Sequence, residues 1–547
     1  MKKNPERVEG APGILRSQAP PASTGLRAAY DVVVETAVET QRAYTTLQIE
    51  HAHLQERLRD QTELAVRLAA AEAERSACAT RAEELAAALE WATADRARVR
   101  ASLAWRLAMP LRFLERHTTR IVRTMRPAAR AQEENFRTRS FNGLVRVAAT
   151  LRWRFGTPRT LWGITPILTL PLLARCDRLL GLKSDSLVFS VYYTSNQFDI
   201  NLSRVTAFIY RRLPARASAF HLFVLRLALL RYDVFHLFND RGIIRPWRRI
   251  SINEYELASF ARHDKRFYTY AYGADVRTRA ATLALGRYNL CSECPEPMKY
   301  CICDDAEGQG NMARIDAVAT AKVSMGDMLA YVPGHRNMHY WPIDVSVRAP
   351  ERLAWKPGQP LRVAHAPNHP EFKGTAYLVA AIEQLAASGE QIELVRVSGV
   401  PNAHVLELFA SCHIVADQFT AGFHGYTAIE AMALGRPVIC YLRGPDMVID
   451  AQACPMINAR PDTLHATLKA LLSGAFDLED LGRRSRAYVE HYYSLEATAL
   501  RLGAMYIETA RFPALVNRRI EARMQTLKQS LPPLLPGSVP VPWSTIA

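Results

Sequence analysis

The sequence predicts an α/β protein, with two doubly wound parallel sheets facing a cleft and a long N-terminal helix that pairs as a coiled coil. Three observations carry this reading. Short apolar runs alternate with helical segments in two successive series between residues 183 and 510, the pattern of parallel sheets. Residues 26–109 contain neither Gly nor Pro and are rich in Ala, Glu, Arg and Leu. The 547 residues leave room for several domains, and 49% apolar with 22% charged content excludes a disordered or low-complexity chain.

In chain order, residues 1–25 carry Gly and Pro without apolar periodicity and read as a disordered leader. Residues 26–100 read as the coiled-coil helix. Pairs such as Leu54/Leu58 and Leu85/Leu89 share a face, and a helix of that length reaches beyond one domain, so it is expected to pair with another chain, with a single exposed helix or a loose bundle as the alternative. Residues 101–182 form an Arg-rich amphipathic segment. Trp105, Leu107, Leu111 and Phe113 face one way, and Arg106, Arg112 and Arg116 the other. Within it, Leu161–Leu173 is apolar but broken by Pro166 and Pro171, which suits either a membrane interface or packing on the next domain. A first Rossmann-like domain follows at 183–350, with strands at Ser186–Tyr193, Asp233–Phe238 and Arg266–Tyr272. A second, at 351–510, has strands at Leu361–Ala366, Glu393–Val397, His413–Ala416 and Pro437–Tyr441. Its helices are Gly374–Ser388 and Thr427–Leu434. Residues 511–547 read as a helix and a Pro-rich tail.

Charge is concentrated. The net charge is +16, and residues 96–178 alone hold 18 Arg, no Lys and 4 acids. Such a block calls for an anionic surface, and its apolar side favours lipid over nucleic acid. No secretory signal and no 18-residue apolar run are present, and nine Cys make no disulfide scaffold. The expected location is the cytoplasm, peripheral on the inner membrane.

Asp417–Ile439 carries the most chemistry. A strand ends near Asp417, a loop with Gly422 and Gly425 follows, and a helix opens at Tyr426–Thr427 with Glu430 one turn in. Free amides at a helix start bind phosphate, Gly permits close backbone approach, and a carboxylate there accepts from ribose hydroxyls. The run Glu430-Ala-Met-Ala-Leu-Gly-Arg-Pro-Val-Ile439 resembles the EAMAxGxPV signature of retaining GT-B glycosyltransferases of the "group 1" type. Ala366–Thr375, with its Lys373-Gly374 step, resembles the first loop of that family's donor domain. The resemblance covers roughly 185–510.

What the resemblance implies is a GT-B-like fold, a nucleotide-sugar donor, retention of configuration and no metal in catalysis. Asn368, Lys373, Gly422, Gly425 and Glu430 would bind the donor, with Lys373 on its diphosphate. Three positions depart from the family: the Arg it has before the Lys-Gly step is absent, with Asn368 and His369 near its place. Gly422 stands eight residues before Glu430, where the family has a second Glu, and Tyr272 stands about where it has a His. His424 and Asp275 are the candidate catalytic residues, each with packing or a structural ion pair as the alternative. Arg277 and Tyr272 are candidates for the acceptor side. Cys291, Cys294, Cys301 and Cys303 form a C-x2-C-x6-C-x-C cluster that suits a structural zinc, with disulfide or redox chemistry and plain reduced thiols as alternatives.

The function expected is transfer of a sugar from a nucleotide sugar to a glycan or lipid-linked acceptor in bacterial surface polysaccharide synthesis. The protein would be a homo-oligomer at an anionic membrane surface, with no nucleic-acid partner. The alternative is an inactive GT-B-like scaffold that binds nucleotide or glycan.

Overall fold

The computed structural model describes residues 127–156, 158–192, 197–245, 251–346 and 353–535, with side chains from 140 onward in the first helix. The chain divides into two compact units, Met1–Arg130 and Ala131–Ala547. The expected leader, coiled coil and residues 101–126 of the Arg-rich segment lie outside the described residues.

Two parallel sheets build the second unit. The first has seven strands: β1 Arg159–Ile164, β2 Lys183–Val188, β3 Ile200–Asn201, β4 Val234–Phe238, β5 Arg266–Tyr270, β6 Ala321–Ser324 and β7 Arg336–Asn337, in the order β3-β2-β1-β4-β5-β6-β7. The second has five: β8 Leu361–His365, β9 Ile392–Arg396, β10 Ile414–Ala416, β11 Val438–Cys440 and β12 Ile457–Asn458, in the order β12-β11-β10-β8-β9. Every strand pair is parallel. β4 is buried at all five positions and β10 at all three, as continuous apolar strands are when helices cover both faces. In each sheet the chain reverses direction at a switch point, between β1 and β4 and between β8 and β10. In open α/β sheets, ligands bind beyond the strands' carboxyl ends at such points.

The expected boundary at 183 is corrected. β1 is the strand from which the first sheet winds both ways, and the helix Thr169–Leu179 packs on it with Leu170, Leu173 and Cys176 buried. The apolar run Leu161–Leu173 is therefore sheet core and not an interfacial segment. The expected limit of the second domain at 510 is corrected too. The helix Leu478–Tyr492 packs against the helix Tyr426–Ala433, but the next helix, Leu495–Thr509, packs on Thr169–Leu179 of the first domain. Ala514–Ser530 then packs on Leu495–Thr509.

The return is fixed by a buried polar knot. Asp177, fully buried, accepts hydrogen bonds from Thr160 Oγ1 at 2.5 Å, Trp162 Nε1 at 2.8 Å and Ser184 Oγ at 3.3 Å. Its other oxygen accepts from Tyr506 OH at 2.7 Å, on the returning helix. His236 Nε2 lies 2.9 Å from the same hydroxyl, and its ring stacks on Trp162 at 3.9 Å. Burying a carboxylate is costly unless its lone pairs are filled, and four donors fill them. Tyr506→Phe is expected to lower stability by about 1–2 kcal/mol, and Asp177→Ala by more, because Asp177→Ala leaves several buried donors unpaired. Urea unfolding of the two variants measures this. Equal, negligible effects contradict it.

Candidate functional site

The second sheet's switch point carries the site. Beyond β8 the chain runs through Asn368 and His369 into a short turn, Pro370–Lys373, which Gly374 ends with φ +67°. At that dihedral a side chain is strained, and an added Cβ would stand 3.1 Å from Phe419 Cβ, so the Lys373-Gly374 step requires Gly. Beyond β10, Asp417 is fully buried. It accepts from Lys373 Nζ at 2.7 Å and, through its second oxygen, from the Gly425 amide. One carboxylate thus joins the cation of the first loop to the last residue before the helix Tyr426–Ala433. Gly425 has no room for a side chain, since its Cβ would lie 2.7 Å from Lys373 Nζ and 2.9 Å from Asp417 Oδ1. Lys373 Nζ has three N–H donors, only one of which serves Asp417.

Glu430 is almost fully buried one turn into the helix, with Asn402 Nδ2 donating to it at 2.7 Å. Burial pushes its carboxyl up to about 7, and the Asn402 bond opposes that shift. Gly422, at φ +71°, lies under the Arg443 guanidinium, which would stand 2.6 Å from a Cβ there. Arg443 Nη2 donates to the carbonyl of Ala421 at 3.1 Å.

A cavity of about 330 Å³ opens between the two domains. Asn368, His369, Lys373, Gln418 and Ala421 line it from the second domain. Tyr272, Arg277 and all four cysteines of the cluster line it from the first. The structure therefore brings Asn368 and Lys373, expected on the donor side, to one cavity with Tyr272 and Arg277, expected on the acceptor side. Glu430 lies outside the lining, close enough that Asp417 and Lys373 both act on its ionisation. The Cys-bearing excursion, residues 284–304, crosses to the second domain. Glu293 accepts from Tyr377 OH at 2.7 Å, and the ring of Tyr300 meets those of His369 at 5.0 Å and Phe372 at 5.5 Å.

Both candidate catalytic residues are buried. His424 is fully buried beneath the loop, with Nδ1 3.2 Å from the Gly425 carbonyl and Nε2 3.3 Å from Tyr493 OH, and it lines no part of the cavity. Burial lowers its pKa. Asp275 is also buried. It accepts from the amides of Tyr272 at 3.0 Å, Gly273 at 2.8 Å and Asn239 at 3.2 Å, which makes it the anchor of the loop after β5. Burial and the neighbouring Asp240 push its carboxyl up to about 7. Arg277 pairs with buried Asp327 at 2.8 Å. The four cluster cysteines carry no disulfide, and among the described residues no three His, Cys, Asp or Glu converge as a metal-ligand set. Sequence reasoning missed Asp417, Asn402 and Asp240. Asp240, at the first switch point, accepts from Thr165 Oγ1 at 3.0 Å and Tyr272 OH at 3.1 Å. For Asp417 the available signal was an acid directly after a buried strand; Asp240 stands two residues past β4, and Asn402 opens a helix.

No family model and no curated protein matches the chain. Among solved structures it is similar to a sucrose-phosphate synthase from Thermosynechococcus elongatus at 14% identity and a TM-score of 0.40, covering 64% of this chain and 98% of that one. HepE from Anabaena, in complex with UDP and glucose, gives 11% and 0.41, covering 64% and 100%. A glycosyltransferase from Rickettsia africae gives 10% and 0.42, covering 65% and 100%. Similarity at this level assigns no activity to the chain.

Glu430 has a testable pH signature. A carboxyl raised from 4.5 to about 7 on folding contributes its stability in full below pH 4.5 and loses it as the pH rises through 7. The melting temperature of Glu430→Gln, relative to the parent, is expected to rise between about pH 5 and pH 8.5. A difference that stays constant across that range contradicts the assignment.

Proposed function

We propose that the chain is a GT-B-like glycosyltransferase that moves a sugar from a nucleotide-sugar donor to a glycan or lipid-linked acceptor in surface polysaccharide synthesis. The observation that carries this reading is the Lys373–Asp417–Gly425 arrangement at the second switch point, with Glu430 one turn into the helix that follows. Asp417 holds Lys373 beside the start of that helix, so a diphosphate seated there meets a cation and free amides together. As the sugar–phosphate bond breaks, negative charge grows on the leaving diphosphate. The two remaining N–H donors of Lys373 and the amides of the helix start would meet that charge, and preorganised donors of this kind lower the barrier. Glu430, once ionised, accepts from the ribose hydroxyls. The acceptor enters from the Tyr272 and Arg277 side. Retention of configuration, independence of metal, pairing through the N-terminal coiled coil and a location on the inner face of the membrane belong to the same reading.

A thermal-shift panel of nucleoside diphosphates and nucleotide sugars tests it. At least one nucleotide is expected to stabilise the protein. Lys373→Ala is expected to weaken that ligand about 10- to 100-fold, the scale of a lost charge-assisted hydrogen bond. Glu430→Ala should weaken it as well. No stabilisation by any nucleotide contradicts the reading. Binding without turnover favours a scaffold, and Arg443 packed over Gly422 would then be the feature to change first.

A structural zinc on Cys291, Cys294, Cys301 and Cys303 is a separate part of the proposal. All four line one cavity, on an excursion whose described backbone holds no regular strand and no helix between 284 and 304; no three of them stand together as a ligand set, so zinc would have to draw the excursion together. Zinc would staple a segment with little core of its own. Elemental analysis of the purified protein is expected to find one zinc per chain, lost in Cys294→Ser. A metal-free protein with four freely titrating thiols contradicts it.

A further inference from the structure

We infer that three neighbouring helices of the first domain form a docking face for an anionic lipid bilayer. The face takes in the Pro127–Arg154 part of the Arg-rich segment expected at 101–182 and adds two helices outside it, and the inference stands whether or not the donor reading holds. The helices are Pro127–Arg154, Ser203–Arg212 and Ala217–Arg231. They pack on one another. Tyr210 OH lies 3.1 Å from His221 Nε2, Arg152 Nη1 donates to the Leu230 carbonyl at 2.8 Å, and the Arg226 guanidinium stands 5.8 Å from the Phe141 ring.

Their apolar residues are only partly used for packing. Ser203–Arg212 has no buried residue at all, although it carries Val205 and Phe208, the latter 59% exposed. Phe223 and Leu227, four apart on Ala217–Arg231, are exposed, as are Leu144, Val147 and Leu151 at helical spacing on the first helix. Of the 17 large hydrophobic residues exposed among the described ones, nine fall within 140–156 and 203–231. That concentration marks a surface built to be covered.

Charge says by what. Across those two segments the sequence holds nine Arg and neither Asp nor Glu. Eight of the nine Arg are exposed. A protein partner's apolar groove would gain little from a uniformly cationic rim. A bilayer with acidic headgroups takes both features: apolar side chains enter the acyl boundary while guanidinium groups meet lipid phosphate. The place in the fold agrees. Ser203–Arg212 begins directly after β3, at the carboxyl edge of the first sheet, which is also the edge that faces the cleft. Docking there would hold the acceptor side of the cleft close to the membrane.

The test is co-sedimentation of the full chain with vesicles of phosphatidylcholine, alone or with about a third phosphatidylglycerol. Two double variants are compared with the parent: Phe208→Ser with Phe223→Ser, and Arg211→Glu with Arg212→Glu. Thermal melts and nucleotide binding serve as controls for folding. The parent is expected to bind the acidic vesicles, more weakly at high salt, and each double variant at least about tenfold more weakly with its melt unchanged. In a Phe208→Trp protein the added indole emission should shift to the blue on acidic vesicles. Failure to bind any vesicle overturns the inference. So does binding undiminished in both variants, which would move the contact to residues before 127. An oligomer that dissociates in the Phe variant while vesicle binding is unchanged also overturns it, and assigns the face to a second copy. Loss of nucleotide binding in every sample, with vesicle binding intact, would instead remove the donor reading alone.

Discussion

The bond between Asp177 and Tyr506 is the interaction on which the rest of this unit depends. It joins a buried acid beneath the first sheet to a helix that the chain reaches only after completing the second sheet. Around it, Tyr268 OH meets Thr509 Oγ1 at 2.9 Å and Arg266 Nε donates to the Ala510 carbonyl at 2.7 Å. Together these bring the last helices home onto the first domain. Two doubly wound domains joined by a single linker would be free to hinge. Here the chain also returns from the second domain to the first near Tyr493, so the carboxyl edges of both sheets are held towards one cavity.

That constraint explains the economy of the site. Lys373 and Gly425 belong to loops about fifty residues apart, and each loop follows a strand at the switch point. Asp417 needs only its two oxygens to fix both. Gly374 and Gly425 are dictated by space and dihedral angle, so the loops approach one another at the cost of residues without side chains. The excursion 284–304 closes the cavity from the other side through Glu293 and Tyr300. Its cysteines therefore sit in the wall of the cleft and not at a remote surface.

Much of this was legible in the sequence because it is local. The strand–loop–helix from Ile414 to Ala433 announces itself through a buried run, two Gly and a helix start, and the structure reproduces it within a residue or two. The Lys373-Gly374 step was legible for the same reason. What was lost is what depends on tertiary partners. Leu161–Leu173 reads equally as an interfacial segment or as packing on the next domain, since an apolar run with two Pro carries no record of what covers it; only the pairing of its first residues with β2 and β4 decides. His424 and Asp275 sit at positions where catalytic groups occur, yet Tyr493 and three backbone amides, distant or invisible in sequence, claim them. The exposed faces of Ser203–Arg212 and Ala217–Arg231 escaped notice because an apolar residue in a helix is ordinarily taken for core.

The central claim is that a nucleoside diphosphate binds where Lys373, the start of the helix Tyr426–Ala433 and Glu430 meet. A crystal structure of the full chain, grown with the nucleotide that binds tightest in solution, tests it most directly. The account predicts the diphosphate within hydrogen-bonding distance of Lys373 Nζ and the helix amides, with the ribose on Glu430. A nucleotide seated elsewhere, with the Lys373–Asp417 pair and Glu430 untouched, would contradict it.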